Sequence, residues 1–236
     1  AKRYIRAFEI ALDLMDAGTG FTWFIDSWHE QFGPIRDNRP DLVERMKLHV
    51  TSGAFGLGPG AFTNPSIDAC TKEVLIRNML HGQRKFRTLF PAARFEMMSH
   101  IDCCGWFGQV PQLARKMGFR VMGVDRPAGV LSDKGIPRQF RWRGLDGTEI
   151  PTSRIQTYAL FTHSPYESDS IRNYFTENIE EAERLGASEE LLLLFGWDDD
   201  CLPLGEPIWE STLFAQIAEW NATSDAQARL GTPDEF

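Results

Sequence analysis

The stretch Arg94–Arg126, "RFEMMSHIDCCGWFGQVPQLARKMGFRVMGVDR", decides the fold. "RFEMMSHI" and "FRVMGVDR" are short, apolar and rich in strand formers. Between them "WFGQVPQLARKMG" repeats apolar residues at helical spacing. Strand, helix, strand is the pattern of two parallel strands joined by a crossover helix. Asp102 stands at the end of the first strand. His100 lies two residues before it, on the same strand face, and Cys103 and Cys104 follow. The residue types leave three roles open for Asp102: catalytic carboxylate, metal ligand, or cap of the helix that reads from Trp106.

The pattern continues on both sides. "RYIRAFEIALDLMD" reads as a helix stopped by "AGTG", and "FTWFI" as a buried strand. "RPDLVERMKLHVTSG" reads as a helix begun by Pro40 and Asp41 and ended by Gly53. "GAFGLGPGAF" reads as a strand with tight turns, and "CTKEVLIRNMLHGQRKFRTLF" as a helix. Downstream, "RQFRWRGLDGTEIPTSRI" is a hairpin around Asp146-Gly147. "SDSIRNYFTENIEEAERLG" and "PIWESTLFAQIAEWNA" are helices. "ELLLLFGWDDD" is a buried strand running into Asp198, Asp199 and Asp200. Alternating strands and helices imply an α/β domain with a mostly parallel sheet, whose function sits at the carboxyl ends of the strands.

The 236 residues suit one large domain or a piece of a larger one. The chain starts with Ala inside a helical pattern, which points to a missing natural N-terminus. No apolar run approaches the roughly 18 residues of a membrane span. A net charge of −8 and a pI near 5.2 argue against nucleic acid or an anionic membrane as the main partner. The four cysteines form no CxxC pair, so they read as free thiols rather than a zinc finger or a disulfide scaffold.

Two strand ends thus carry carboxylates, Asp102 and Asp198–Asp200. Parallel strands would bring both to one face. Two facing carboxylates are the minimum equipment for glycoside hydrolysis. The plainer readings are a helix cap for Asp102 and a solvated acidic turn for Asp198–Asp200. Trp23, Trp28, Trp106, Trp197 and Phe62 fall near strand ends, where aromatics stack on sugars or simply pack. Glu73 and Arg77 have the spacing of a helical ion pair. His100 and Asp102 together could begin a zinc site.

The chain resembles the N-terminal catalytic domain of glycoside hydrolase family 38, the α-mannosidases. Asp102, Gly105 and Pro111 keep the family's spacing, and "VPQLARKMGF" continues it. Glu73, Arg77 and "HGQRKF" resemble the motif upstream. "FRWRGLDGTEI", "LLLLFGWDDD" and "ARLGTPDEF" resemble three segments downstream. The resemblance implies a seven-stranded (β/α) barrel-like domain of mostly parallel strands, with residues 1–236 a fragment of it. It also implies retaining hydrolysis of α-mannosides with bound zinc. Asp102 would be nucleophile and zinc ligand, and Asp198 the acid/base. Trp106, Trp197 and Asp199 would line the substrate site. The family's remaining zinc ligands lie outside this chain. Cys104, Phe107 and Asn64-Pro65-Ser66 depart from the family pattern around the pocket. Two other readings stand beside this one: a carbohydrate-binding homologue without catalysis, and a metal-dependent sugar deacetylase using His100 and Asp102.

Overall fold

The computed structural model describes residues 2–67, 69–102, 105–155, 170–186, 190–194 and 208–236. The βαβ unit is present. Strand β3 (Met97–His100) pairs in parallel with β4 (Val121–Val124), and helix α5 (Val110–Lys116) crosses between them. β4 also pairs in parallel with β6 (Glu149–Arg154), which turns back antiparallel on β5 (Gln139–Arg143). The sheet order is therefore β3-β4-β6-β5. The Asp146-Gly147 turn forms as the sequence implies: Gly147 takes φ +86°, and the Thr148 amide donates to Asp146 Oδ1 at 3.0 Å.

β4 is central and covered on both faces, so it reads as an unbroken apolar run rather than an alternating one. Gly123 within it is closely packed, and a side chain there would force Ile155 to shift. A Cβ there would lie 2.2 Å from Ile155 Cδ1 and 3.1 Å from the Met97 sulfur.

A second, two-stranded parallel sheet joins β1 (Trp23–Phe24) to β2 (Phe55–Gly56). Its strands are short because Gly58 and Gly60, at φ +51° and +68°, turn the chain directly after β2. Helix α1 (Lys2–Asp16) packs on α2 (Gly33–Asn38) and α3 (Pro40–Ser52). Gly53 at φ +87° ends α3. Helix α4 (Lys72–Leu89) starts at Thr71, whose hydroxyl accepts the Val74 amide. Phe8, Phe32, Phe55, Phe86 and Phe90 fill the core between these elements. Each such ring contributes roughly 1.5–3 kcal/mol on burial. Helices α6 (Ala128–Asp133), α7 (Ser170–Leu185) and α8 (Ile208–Thr223) complete the described chain. α7 turns Ile171, Tyr174, Asn178 and Ala182 inward along one face.

The described residues contain six strands in two sheets with mostly parallel pairing, and do not by themselves show the seven-stranded barrel that the resemblance implies. Two expectations are corrected. The crossover helix begins at Val110 rather than Trp106. Gly105 at φ +94° breaks the helical path, and Pro111 in the first turn restarts it. Glu190–Leu194 forms no strand. Side chains take its backbone carbonyls instead: Gln139 Nε2 donates to Glu190 O at 2.5 Å, and the Tyr174 hydroxyl donates to Leu194 O at 2.8 Å.

Candidate active site

Asp102 lies just past β3, in a turn. It is the one non-glycine among the described residues with positive φ, at +57°. A left-handed backbone costs an L-residue about 1–2 kcal/mol, and Asp tolerates it better than most. The role of cap is excluded, because the residue capping α5 is Gln109. The backbone conformation has another partner. The Asp102 amide donates to Asp125 Oδ2 at 2.8 Å. Asp125 ends β4 as Asp102 ends β3, so parallel pairing puts the two strand ends side by side.

The next residue, Arg126, pairs with Asp102 Oδ1 through both Nε and Nη2. Charge-assisted contacts of this kind fix a carboxylate's direction. Burial pushes the Asp125 carboxyl above its ordinary range. The Asp102 amide and the Arg126 charge pull it back down, while the Asp102 charge pushes it up. The result is a compact group of two carboxylates and one guanidinium at the carboxyl end of the sheet.

A further strand-end carboxylate stands on β1. Asp26 follows Phe24 and Ile25, and Phe24 packs against the cluster of Met97, Ile155 and Leu194 that also touches Ile101. The Asp26 Oδ1 atom is buried with no hydrogen-bond partner among the described residues. Burial pushes this carboxyl up to about 7. The Asp26 amide donates to Gln31 Oε1 within a π-helical turn, Trp28–Phe32, a local geometry frequent near functional sites.

Other expectations resolve differently. Trp106 is half-buried, its ring edge-on to Trp142 with centroids 6.0 Å apart. Trp23 and Trp28 belong to the core: Trp23 lies 4.9 Å from Phe8, and Trp28 lies 5.0 Å from Phe86. Glu73 and Arg77 make an exposed ion pair at 2.6 Å, the helical pair their spacing implies. The "HGQR" motif is a packing device. A Cβ on Gly82 would meet Gly60 O at 2.2 Å, and Gln83 Nε2 donates to Pro59 O at 3.2 Å. Asp198, Asp199, Trp197, Cys103 and Cys104 lie outside the described residues, as does the His100 side chain. Among the described residues no three His, Cys, Asp or Glu side chains group as a metal site would require.

A cleft of about 620 Å³ opens at the opposite end of the strands, where Glu96 and Arg120 precede β3 and β4. Arg94, Arg115 and Arg120 face Glu96, Asp234 and Glu235 there, so its charges balance. Parallel sheets carry their chemistry at the other end, where Asp102 stands.

The model of the glycosyl hydrolases family 38 N-terminal domain matches residues 2–236. The chain belongs to that family. Alpha-mannosidase G of Dictyostelium discoideum is 29% identical over 147 residues, covering 62% of this chain and 13% of the relative. A putative mannosylglycerate hydrolase of Halalkalibacterium halodurans is 23% identical over 195 residues, covering 76% of this chain and 21% of the relative. The crystal structure of an alpha-mannosidase from Enterococcus faecalis V583 superposes with a TM-score of 0.73 at 20% identity, over 97% of this chain and 25% of that one. At that identity the likeness is one of fold. This family 38 chain therefore spans between 13% and 21% of the length of those two curated relatives.

Two members of the strand-end group, Asp125 and Arg126, and the lone Asp26 are absent from the sequence reading. The signal for both carboxylates was available: each directly follows a short apolar strand, as Asp102 does.

Proposed function

We propose that residues 1–236 form part of the catalytic domain of a retaining α-mannosidase-like glycoside hydrolase, with Asp102 as the nucleophile. The observation that carries this reading is the setting of Asp102. Asp102 has a left-handed backbone at a parallel strand end; its amide donates to Asp125 and its half-exposed carboxylate pairs with the Arg126 guanidinium. An attacking group must be aimed, and strained backbone conformations cluster at active sites. Membership of the family and the mannosidase relatives support the substrate class.

In the proposed reaction an Asp102 oxygen attacks the anomeric carbon as the bond to the leaving oxygen breaks. Asp198 protonates that oxygen and then takes a proton from the water that releases the sugar. Such a pair works at roughly 5–5.5 Å separation. Arg126 orients the attacking carboxylate. Trp106, Trp197 and Asp199 flank the sugar.

The reading includes a zinc ion, for which Asp102 supplies a hard oxygen ligand of the kind zinc accepts. A zinc site takes about four ligands, and the described residues by themselves do not complete one.

The test is hydrolysis of an aryl α-mannoside by the full-length protein, with added zinc and then with chelator. The expected result is zinc-dependent release of the aryl group. Absence of release from any aryl glycoside by a folded, zinc-loaded protein overturns the reading.

A further inference from the structure

Given the reading of Asp102 as nucleophile, we propose that Asp125 is a positioning residue, whose carboxylate holds the Asp102 backbone in the left-handed turn that aims the Asp102 side chain.

The energetics favour this division of labour. The left-handed turn is unfavourable for an L-residue. A hydrogen bond to a charged acceptor is stronger than one between neutral groups and can offset that cost. The acceptor oxygen belongs to a residue only 9% exposed, so water competes poorly for the Asp102 amide.

Asp125 is itself fixed from the sheet. Ile155 N donates to Val124 O at 2.8 Å, one residue before it. Ala128 N donates to the Asp125 carbonyl at 2.6 Å, closing the turn after it. Arg154, fully buried, donates from Nη1 to Ala128 O at 3.2 Å and anchors the far side of that turn. Consecutive residues therefore take Asp102 at two points: Asp125 holds its amide, and Arg126 its carboxylate. With the amide released, φ is free to relax to negative values. That rotation swings the Cβ direction and moves the attacking oxygen by on the order of 1 Å, a displacement that costs up to about 100-fold in rate.

The experiment uses the full-length protein and three variants: Asp125→Asn, Asp125→Ala and Asp125→Val. Asn retains a carbonyl acceptor in the same place, and Val fills the space without one. Two readouts are taken: kcat and KM on an aryl α-mannoside, and hydrogen exchange at the Asp102 amide by mass spectrometry at single-residue resolution. In the parent protein the Asp102 amide is expected to exchange slowly for a turn residue. In the Ala and Val variants it should exchange faster, with kcat lower by about 10–100-fold and KM nearly unchanged. The Asn variant should restore both. Unprotected exchange in the parent protein overturns the proposal even if neither the Ala nor the Val variant folds. So does an Ala or Val variant with parental kcat, or an Asn variant as impaired as Ala. An inactive parent protein would defeat the glycosidase reading, while the exchange data would still decide what Asp125 does.

Discussion

Two of the molecule's carboxylate–guanidinium groups have similar chemistry and opposite settings. At the strand ends, Asp102 and Arg126 have side chains 44% and 54% exposed. Under α7, Glu181 is 13% exposed and pairs with Arg154, which is fully buried, at 3.1 Å, and with Arg138 at 2.9 Å. Ser132 also donates to Glu181, and Asn178 accepts from Arg138. In the buried group each partner's charge was taken from water, so removing one leaves the others stranded. In the exposed group water can replace either partner, so its contact contributes little to stability. The buried group holds α7 and the turn after β4 to the sheet. The exposed group is open to solvent. The same pair of residue types thus serves the fold in one place and is available to chemistry in the other.

The strongest way to break this comparison is Glu181→Ala. Two guanidinium groups would lose their carboxylate in the core, and the expected loss is about 3–5 kcal/mol in chemical denaturation. A loss below about 1 kcal/mol, the value of a surface pair, would erase the distinction. Next comes Arg126→Ala. If Asp102 is the nucleophile as proposed, this variant should lower kcat by about 10–100-fold by freeing the Asp102 carboxylate, while stability shifts by no more than about 1 kcal/mol. A large fall in stability with parental kcat would place this pair with the buried group.

Asp26 sharpens the comparison from a third side, as a buried carboxyl with no cation beside it among the described residues. Its native pKa is raised to about 7 from the ordinary 3.8, so between those values the native state holds a proton that the unfolded chain has lost. Stability therefore falls as pH rises from about 4 to about 7 and levels above that. Asp26→Asn should flatten this part of the profile, as denaturation across that window would show. An unchanged slope would mean that Asp26 is not the group responsible. The smallest effect belongs to Glu73 and Arg77, where Arg77→Ala should cost about 0.3–0.5 kcal/mol, the worth of an exposed helical pair.

Much of the sheet was legible because its signals are local. The strands of the βαβ unit and the Asp146-Gly147 hairpin declare themselves through short apolar runs and a turn residue that takes positive φ. What escaped depends on contacts distant in sequence. Glu190–Leu194 has the composition of a buried strand, yet Gln139 and Tyr174 satisfy its carbonyls from outside. The π-helical turn at Trp28–Phe32 and helix α6 are short and carry no strong periodicity. At the site, the grammar that picked out Asp102, a carboxylate directly after an apolar strand, applies equally to Asp26 and Asp125. Nothing in the string alone says that the Asp125 carboxylate meets the Asp102 amide 23 positions upstream. The capping role suggested by spacing failed because Gly105, at φ +94°, breaks the helical path, and α5 begins only at Val110.

The central claim is that Asp102 attacks the sugar. The most direct measurement incubates the full-length protein with a fluorinated mannosyl fluoride, which slows release of a covalent glycosyl-enzyme, and maps the modified peptide by mass spectrometry. The account predicts one added glycosyl group on the peptide carrying Asp102, absent in Asp102→Asn. An adduct on a different carboxylate, or parental turnover of an aryl α-mannoside by Asp102→Asn, would contradict it.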